Sequence, residues 1–143
     1  MGDIQSVSVE KAWDNGTNLR TAVRKHEKEV RWWLWKEVGK LCKDVDANKT
    51  LSTDEEFKFC CRSILDEFPA LKVEEVRLCF DMIRQGKFGK LYERLKTQEI
   101  LDALRRYEGE VRAPYLERQL HNRKHERVEV HDMVWDAVRK LKV

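Results

Sequence analysis

Nine consecutive residues, Gly86-Lys87-Phe88-Gly89-Lys90-Leu91-Tyr92-Glu93-Arg94, gather the side chains best suited to holding a polyanion. Lys87, Lys90 and Arg94 offer cations to phosphates, and Phe88 and Tyr92 offer flat faces on which exposed bases stack. Arg84 and Arg105, on the segments either side, widen the basic patch, with Arg106 next to the latter. The two glycines let the backbone bend sharply or come close to a ligand. A structural reading competes with this one. In it Phe88, Leu91 and Tyr92 fold back onto a core, the glycines only make the turn, and the lysines stay in water.

The stretch Asp44 to Glu55 invites a metal reading. It places Asp44, Asp46, Asn48, the Thr50 carbonyl, Ser52 and Glu55 at positions 1, 3, 5, 7, 9 and 12 of a calcium loop. The sixth position is Lys49, where such a loop needs glycine for a positive φ and where an ammonium would sit beside the ion. No second loop of this kind accompanies it. The segment is therefore expected to be an acidic connection, with Ser52 or Thr53 as the N-cap of the next helix and Glu55 or Glu56 as the capping-box partner. His121 and His125 share a helical face at i, i+4, but no third ligand is evident and their neighbours are Asn122, Arg123 and Lys124. Solvated histidines are expected, with no metal bound. Cys42, Cys60, Cys61 and Cys79 lie among apolar residues without a CxxC pair, which reads as reduced core thiols in a cytoplasmic protein. No nucleophile motif, phosphate loop or dinucleotide fingerprint occurs, so neither an enzyme nor a cofactor is expected.

A third candidate is a tryptophan belt, Trp32, Trp33 and Trp35. Three tryptophans within four positions cannot share one helical stripe. Either the helix is broad and core-facing, or one of them anchors a protein partner.

These groups need helices to position them. The segment from Leu71 to Tyr107 reads as helix, turn, helix: Val76, Cys79, Phe80 and Ile83 repeat at i, i+3, i+4 and i+7 before a left-handed cap at Gly86. Thr97 then caps a helix striped with Ile100, Leu104, Tyr107 and Val111. Upstream, Thr17 or Asn18 caps a long helix from Leu19 to about Lys43, with Val23, Val30, Leu34, Val38 and Leu41 on its face. A further helix from about Thr53 to Phe68 carries Phe57, Cys60, Cys61, Ile64, Leu65 and Phe68, and Pro69 stops it. Past Gly109 the helix is expected to continue, with Pro114 kinking or ending it. A polar tract over residues 117–129 precedes a last amphipathic segment, Val130 to Val143.

The chain has 143 residues, enough for one domain with a real core. With 38% charged residues, only 6 Gly and 2 Pro, the composition is helical. A net charge of +3, from 29 basic and 26 acidic residues, permits nucleic-acid binding without requiring it, so local charge placement decides. No basic-then-apolar signal opens the sequence, and no apolar run is long enough to span a membrane.

The blocks Leu71 to Phe80, Gly86 to Leu95 and Gln98 to Tyr107 together resemble a family of small helical proteins from phages, prophages and mobile elements of Bacteroidetes bacteria. The family's pattern is roughly an acidic helix start leading to KLCF, then GKYGKxYxRLxxQxIL, then a tyrosine followed by an acidic–arginine pair. Phe88 stands where that family has Tyr, and Glu110-Val111-Arg112 spreads out the closing pair. Asn48 to Ser52 also resembles the family's GKT-like loop, which carries no acidic ligand set. The resemblance spans about Leu51 to Arg112. It implies a phage-type origin and a role in replication or DNA handling, and it transfers no catalytic residues.

The expectation is an all-α chain. Residues 1–18 form a loose segment, and residues 19–143 a single domain of about five or six helices with a basic glycine-containing turn. The expected function is that of a non-enzymatic accessory protein of DNA replication, binding DNA or a replication protein such as a helicase through Lys87, Phe88, Lys90, Tyr92, Arg94, Arg84 and Arg105. The alternative is a protein-interaction module, such as an inhibitor of a host machine, acting through the Trp32, Trp33 and Trp35 belt. Neither reading involves a membrane or a small-molecule substrate, and both are compatible with an oligomer.

Overall fold

The computed structural model describes residues 16–91 and 93–122. Trp13, Tyr92, His125, the 123–129 part of the polar tract and the segment Val130 to Val143 lie outside the described residues. The chain is mostly helical, as an all-α composition requires. It divides into two compact units, the first ending at Tyr107 and the second beginning at Glu108.

Among the described residues of the first unit the helices are α1 (Leu19–Val45), α2 (Asp54–Glu67), α3 (Val73–Arg84) and α4 (Thr97–Tyr107). Their starts follow the capping chemistry of the sequence. Asn18 caps α1, its side-chain oxygen accepting from the Thr21 N–H at 2.8 Å. Thr53 caps α2 through the Glu56 N–H at 3.2 Å, while a Glu56 carboxyl oxygen accepts from the Ser52 N–H at 3.1 Å. At α4 the expectation is corrected. Thr97 is the first helical residue rather than the cap, and Glu99 reaches back to the Lys96 N–H at 2.9 Å. α1 is not straight, because His26 leaves helical geometry at φ −144°, ψ 59°. Asp46 closes α1 in the left-handed region at φ 52°, its N–H donating to the Cys42 carbonyl at 3.1 Å.

The apolar stripes meet in one core. Leu34, Val38 and Leu41 from α1, Cys60 and Ile64 from α2, Val76, Cys79 and Phe80 from α3, and Ile100 and Leu104 from α4 are all fully buried. Each large aliphatic or aromatic side chain withdrawn in this way contributes about 1.5–3 kcal/mol. Val23, Phe57 and Leu65, placed on these stripes by spacing, are only half-buried at the core's edge.

Two connections pair in a way that helical periodicity does not announce. β1 (Lys49–Thr50) and β2 (Arg94–Leu95) form a two-residue parallel ladder, extended by the Lys49 N–H donating to the Glu93 carbonyl at 3.0 Å. Leu95 within the ladder and Leu51 next to it are buried. The ladder ties the α1–α2 connection to the end of the basic turn.

In the second unit, Glu108–Arg112 is a π-helical turn, and residues 113–122 return to ordinary helix. Pro114 thus neither ends nor replaces the helix. The widened turn ahead of it relieves the clash between its ring and the carbonyl four residues earlier. Among the described residues no helix is long and apolar enough to cross a membrane.

Candidate functional site

The basic turn grows directly out of the end of α3. Gly86 sits at φ +75°, its N–H donating to the Ile83 carbonyl at 3.0 Å, and the Lys87 N–H reaches the Met82 carbonyl, also at 3.0 Å. This paired closure is the Schellman arrangement, and it needs a residue without a Cβ penalty at that point. The Gly89 N–H then bonds the Gly86 carbonyl at 3.1 Å, with Gly89 at φ +99°. Lys87 and Phe88 therefore occupy the two central positions of a tight turn. A Cβ on either glycine would meet nothing within 4 Å, so the turn stands open to solvent.

Phe88 is held from α4. The Arg106 guanidinium lies 5.2 Å from the centre of its ring, and an Arg106 Nη1–H donates to the Phe88 carbonyl at 3.1 Å. The ring is half-buried, while Lys87 and Lys90 are exposed.

Arg94 of the turn, and Arg84 and Arg105 read as widening the patch, are engaged by carboxylates. Arg84 bonds Asp44 at 2.9 Å and Asp81 at 2.7 Å, joining the ends of α1 and α3. Arg94 bonds Glu99 at 3.1 Å. Arg105 bonds Glu67 at 2.8 Å and Asp102 at 2.7 Å, which links α4 to α2. The Glu67 hydrogen bonds are the largest influence raising the Arg105 pKa further. The charges of these three arginines are already answered by carboxylates. Arg106, not Arg105, is the α4 residue the fold brings to Phe88.

The same ion pairing bears on the calcium reading. Asp44 is turned to Arg84, and the Asn48 amide donates to Glu93 at 3.4 Å. Among the described residues no three His, Cys, Asp or Glu side chains converge in a way that would hold a metal ion. The thiols are core residues. Burial pushes Cys60 up to about 12 and Cys61 up to about 11, and raises Cys42 and Cys79 as well.

The tryptophan belt separates into three environments. Trp35 stacks on Phe57 of α2, with centroids 5.6 Å apart and planes 24° from parallel. Trp33 is half-buried. Trp32 is 63% exposed, with the Lys36 ammonium 5.6 Å from its ring centre. Spacing missed one residue, Phe59, which falls off the α2 stripe and is 54% exposed. It is shared by two shallow clefts, one of about 560 Å³ reaching Leu51 and Leu101, the other of about 580 Å³ reaching Trp35 and Cys61. An aromatic residue off the apolar period of its helix was the available signal.

Compared with protein-family models, with curated proteins and with solved structures, the chain matches none.

Proposed function

We propose that this chain is a non-enzymatic, phage-type accessory protein of DNA replication that works in the cytoplasm by binding nucleic acid, or a replication protein such as a helicase. The resemblance of the GKFGKLYERL block to proteins of Bacteroidetes phages and mobile elements supplies the replication context. In this reading the chain from residue 19 onward works as one helical domain of about five or six helices, with the basic turn at its working edge. The observation that carries the reading is the open turn. Lys87 and Lys90 are exposed on a backbone set by two positive-φ glycines, and Arg106 clamps the intervening Phe88.

The test is anisotropy of labelled single- and double-stranded DNA across a salt series. Binding that falls steeply with salt is expected. Lys87→Ala with Lys90→Ala should weaken it and flatten the salt dependence by about 0.7–0.9 per lost phosphate contact. Absence of binding to either DNA at low salt would leave only the replication-protein half.

A second reading is favoured by the exposure of Trp32 at 63% and Phe59 at 54%. It makes the chain a protein-interaction module, such as an inhibitor of a host machine, with Trp32 as anchor, because Trp35 is spent on Phe57. Capture of a partner that survives nuclease treatment and is lost with Trp32→Ala would select it.

A further inference from the structure

Exposed cations are not confined to the turn. Beyond the kink at His26, α1 turns Lys28, Trp32, Lys36 and Lys43 to solvent at spacings of four, four and seven residues, with Lys40 beside them. Helical geometry puts these positions on one line along the axis, and Gly39 leaves a gap in it. From Lys28 to Lys43 the line runs about 22 Å at 1.5 Å per residue. Among the described residues none of these four lysines is in an ion pair, whereas Arg84, Arg94 and Arg105 all are. Glu29 and Asp44 are the exposed acids bordering the stripe, and Asp44 is paired with Arg84, so the stripe keeps a cationic excess.

We propose that this face of α1 is a binding track for single-stranded nucleic acid, with the lysines on phosphates along the strand and Trp32 stacking on a base. The inference rests on the nucleic-acid reading above but moves the main contact from the turn to α1. Lysine is a point charge that suits phosphate without demanding bidentate geometry. About 22 Å accommodates six or seven stacked nucleotides at about 3.4 Å each. An exposed ring among cations is the arrangement by which sequence-tolerant single-strand binders hold a base.

Two other occupants fit less well. A protein interface is depleted of lysine at its centre, yet here an ammonium lies over the anchor ring itself. A membrane surface would need the apolar face of α1, and Val30, Leu34, Val38 and Leu41 are buried in the core.

The experiment uses the full chain and a fluorescein-labelled 20-nucleotide oligo-dT, with the matching duplex as comparison, over a salt series. Every substituted residue is exposed, and a circular-dichroism melt checks that each variant folds. Expected are loss of oligo-dT affinity by tenfold or more in K28A/K36A/K40A/K43A, with a salt slope shallower by about 0.7 per lysine that contacted a phosphate. Trp32→Ala should cost about fivefold or more. The four-arginine counterpart K28R/K36R/K40R/K43R should keep the binding. Oligo-dT binding that is abolished by K87A/K90A and untouched by the α1 variants would overturn the track and leave the turn as the site. No oligo-dT binding by the unaltered chain would overturn both. Duplex preferred over oligo-dT, with Trp32→Ala silent, would also overturn the single-strand assignment.

Discussion

The Tyr107 hydroxyl donates to a Glu75 carboxyl oxygen at 2.8 Å, and both residues are wholly buried. Glu75 is the one charged-type residue among the described residues buried in the core. Its other oxygen accepts from the Lys72 N–H at 3.0 Å, so a single side chain both closes the start of α3 and bonds the last residue of α4. The two helices that flank the basic turn are thereby tied at the end where α3 begins and α4 ends.

Tyr107→Phe keeps the ring and removes this hydrogen bond. A buried polar group that loses a partner costs about 1–3 kcal/mol. Urea unfolding should show a midpoint lowered accordingly with an unchanged m-value. Unaltered stability would mean that the hydroxyl bond contributes nothing net.

The buried thiols set an alkaline limit. Burial disfavours the thiolate and pushes Cys60 up to about 12 and Cys61 up to about 11, above the ordinary thiol value of 9.0. Their folded pKa values are raised, so their contribution is complete below pH 9 and declines above it, where the unfolded chain has lost protons that the folded chain keeps. Each thiol in that window removes up to about 1.4 kcal/mol per pH unit. Stability measured by denaturant titration should fall between pH 9 and 11, and Cys60→Ser should shallow the fall. In the native state at pH 8 the four cysteines should resist a thiol reagent and react on unfolding.

Gly89 at φ +99° has open space around it, so Gly89→Ala isolates the backbone cost from any steric one. A loss of about 1–2 kcal/mol is expected from the left-handed conformation alone. Hydrogen exchange should quicken over residues 86–91, while the protection of α1 remains.

Arg105 is answered by Glu67 and Asp102, so it has little charge left for a ligand. Arg105→Gln should leave the salt slope of DNA binding unchanged, whereas Lys87→Ala should alter it. The ion pairs themselves are exposed and stabilise little, so the variant should fold normally. A large drop in affinity for Arg105→Gln would return that residue to the binding surface.

The helices were legible in the sequence because their causes are local. The stripe Val76, Cys79, Phe80 and Ile83, the caps at Asn18 and Thr53, and the left-handed stop at Gly86 depend on residues within a turn or two of one another. The turn was legible for the same reason, since two glycines and the α3 terminus dictate its geometry. The β1–β2 ladder was not. Strands of two residues carry no alternation, and Lys49 and Arg94 pair from positions far apart in the sequence.

What the sequence by itself determined, then, is a mostly helical chain whose apolar stripes face inward. Only tertiary structure decided which charges and rings remain available. Arg105 is neutralised by Glu67, a residue 38 positions earlier, and Arg84 by Asp44, 40 positions earlier. Trp35 is covered by Phe57 from the next helix while Trp32 stays in solvent. Charge pairing and aromatic burial depend on distance in space, and the packing of α1, α2, α3 and α4 sets that distance. The same packing turns the apolar side of α1 inward and leaves Lys28, Lys36 and Lys43 in line around Trp32 on its outer face.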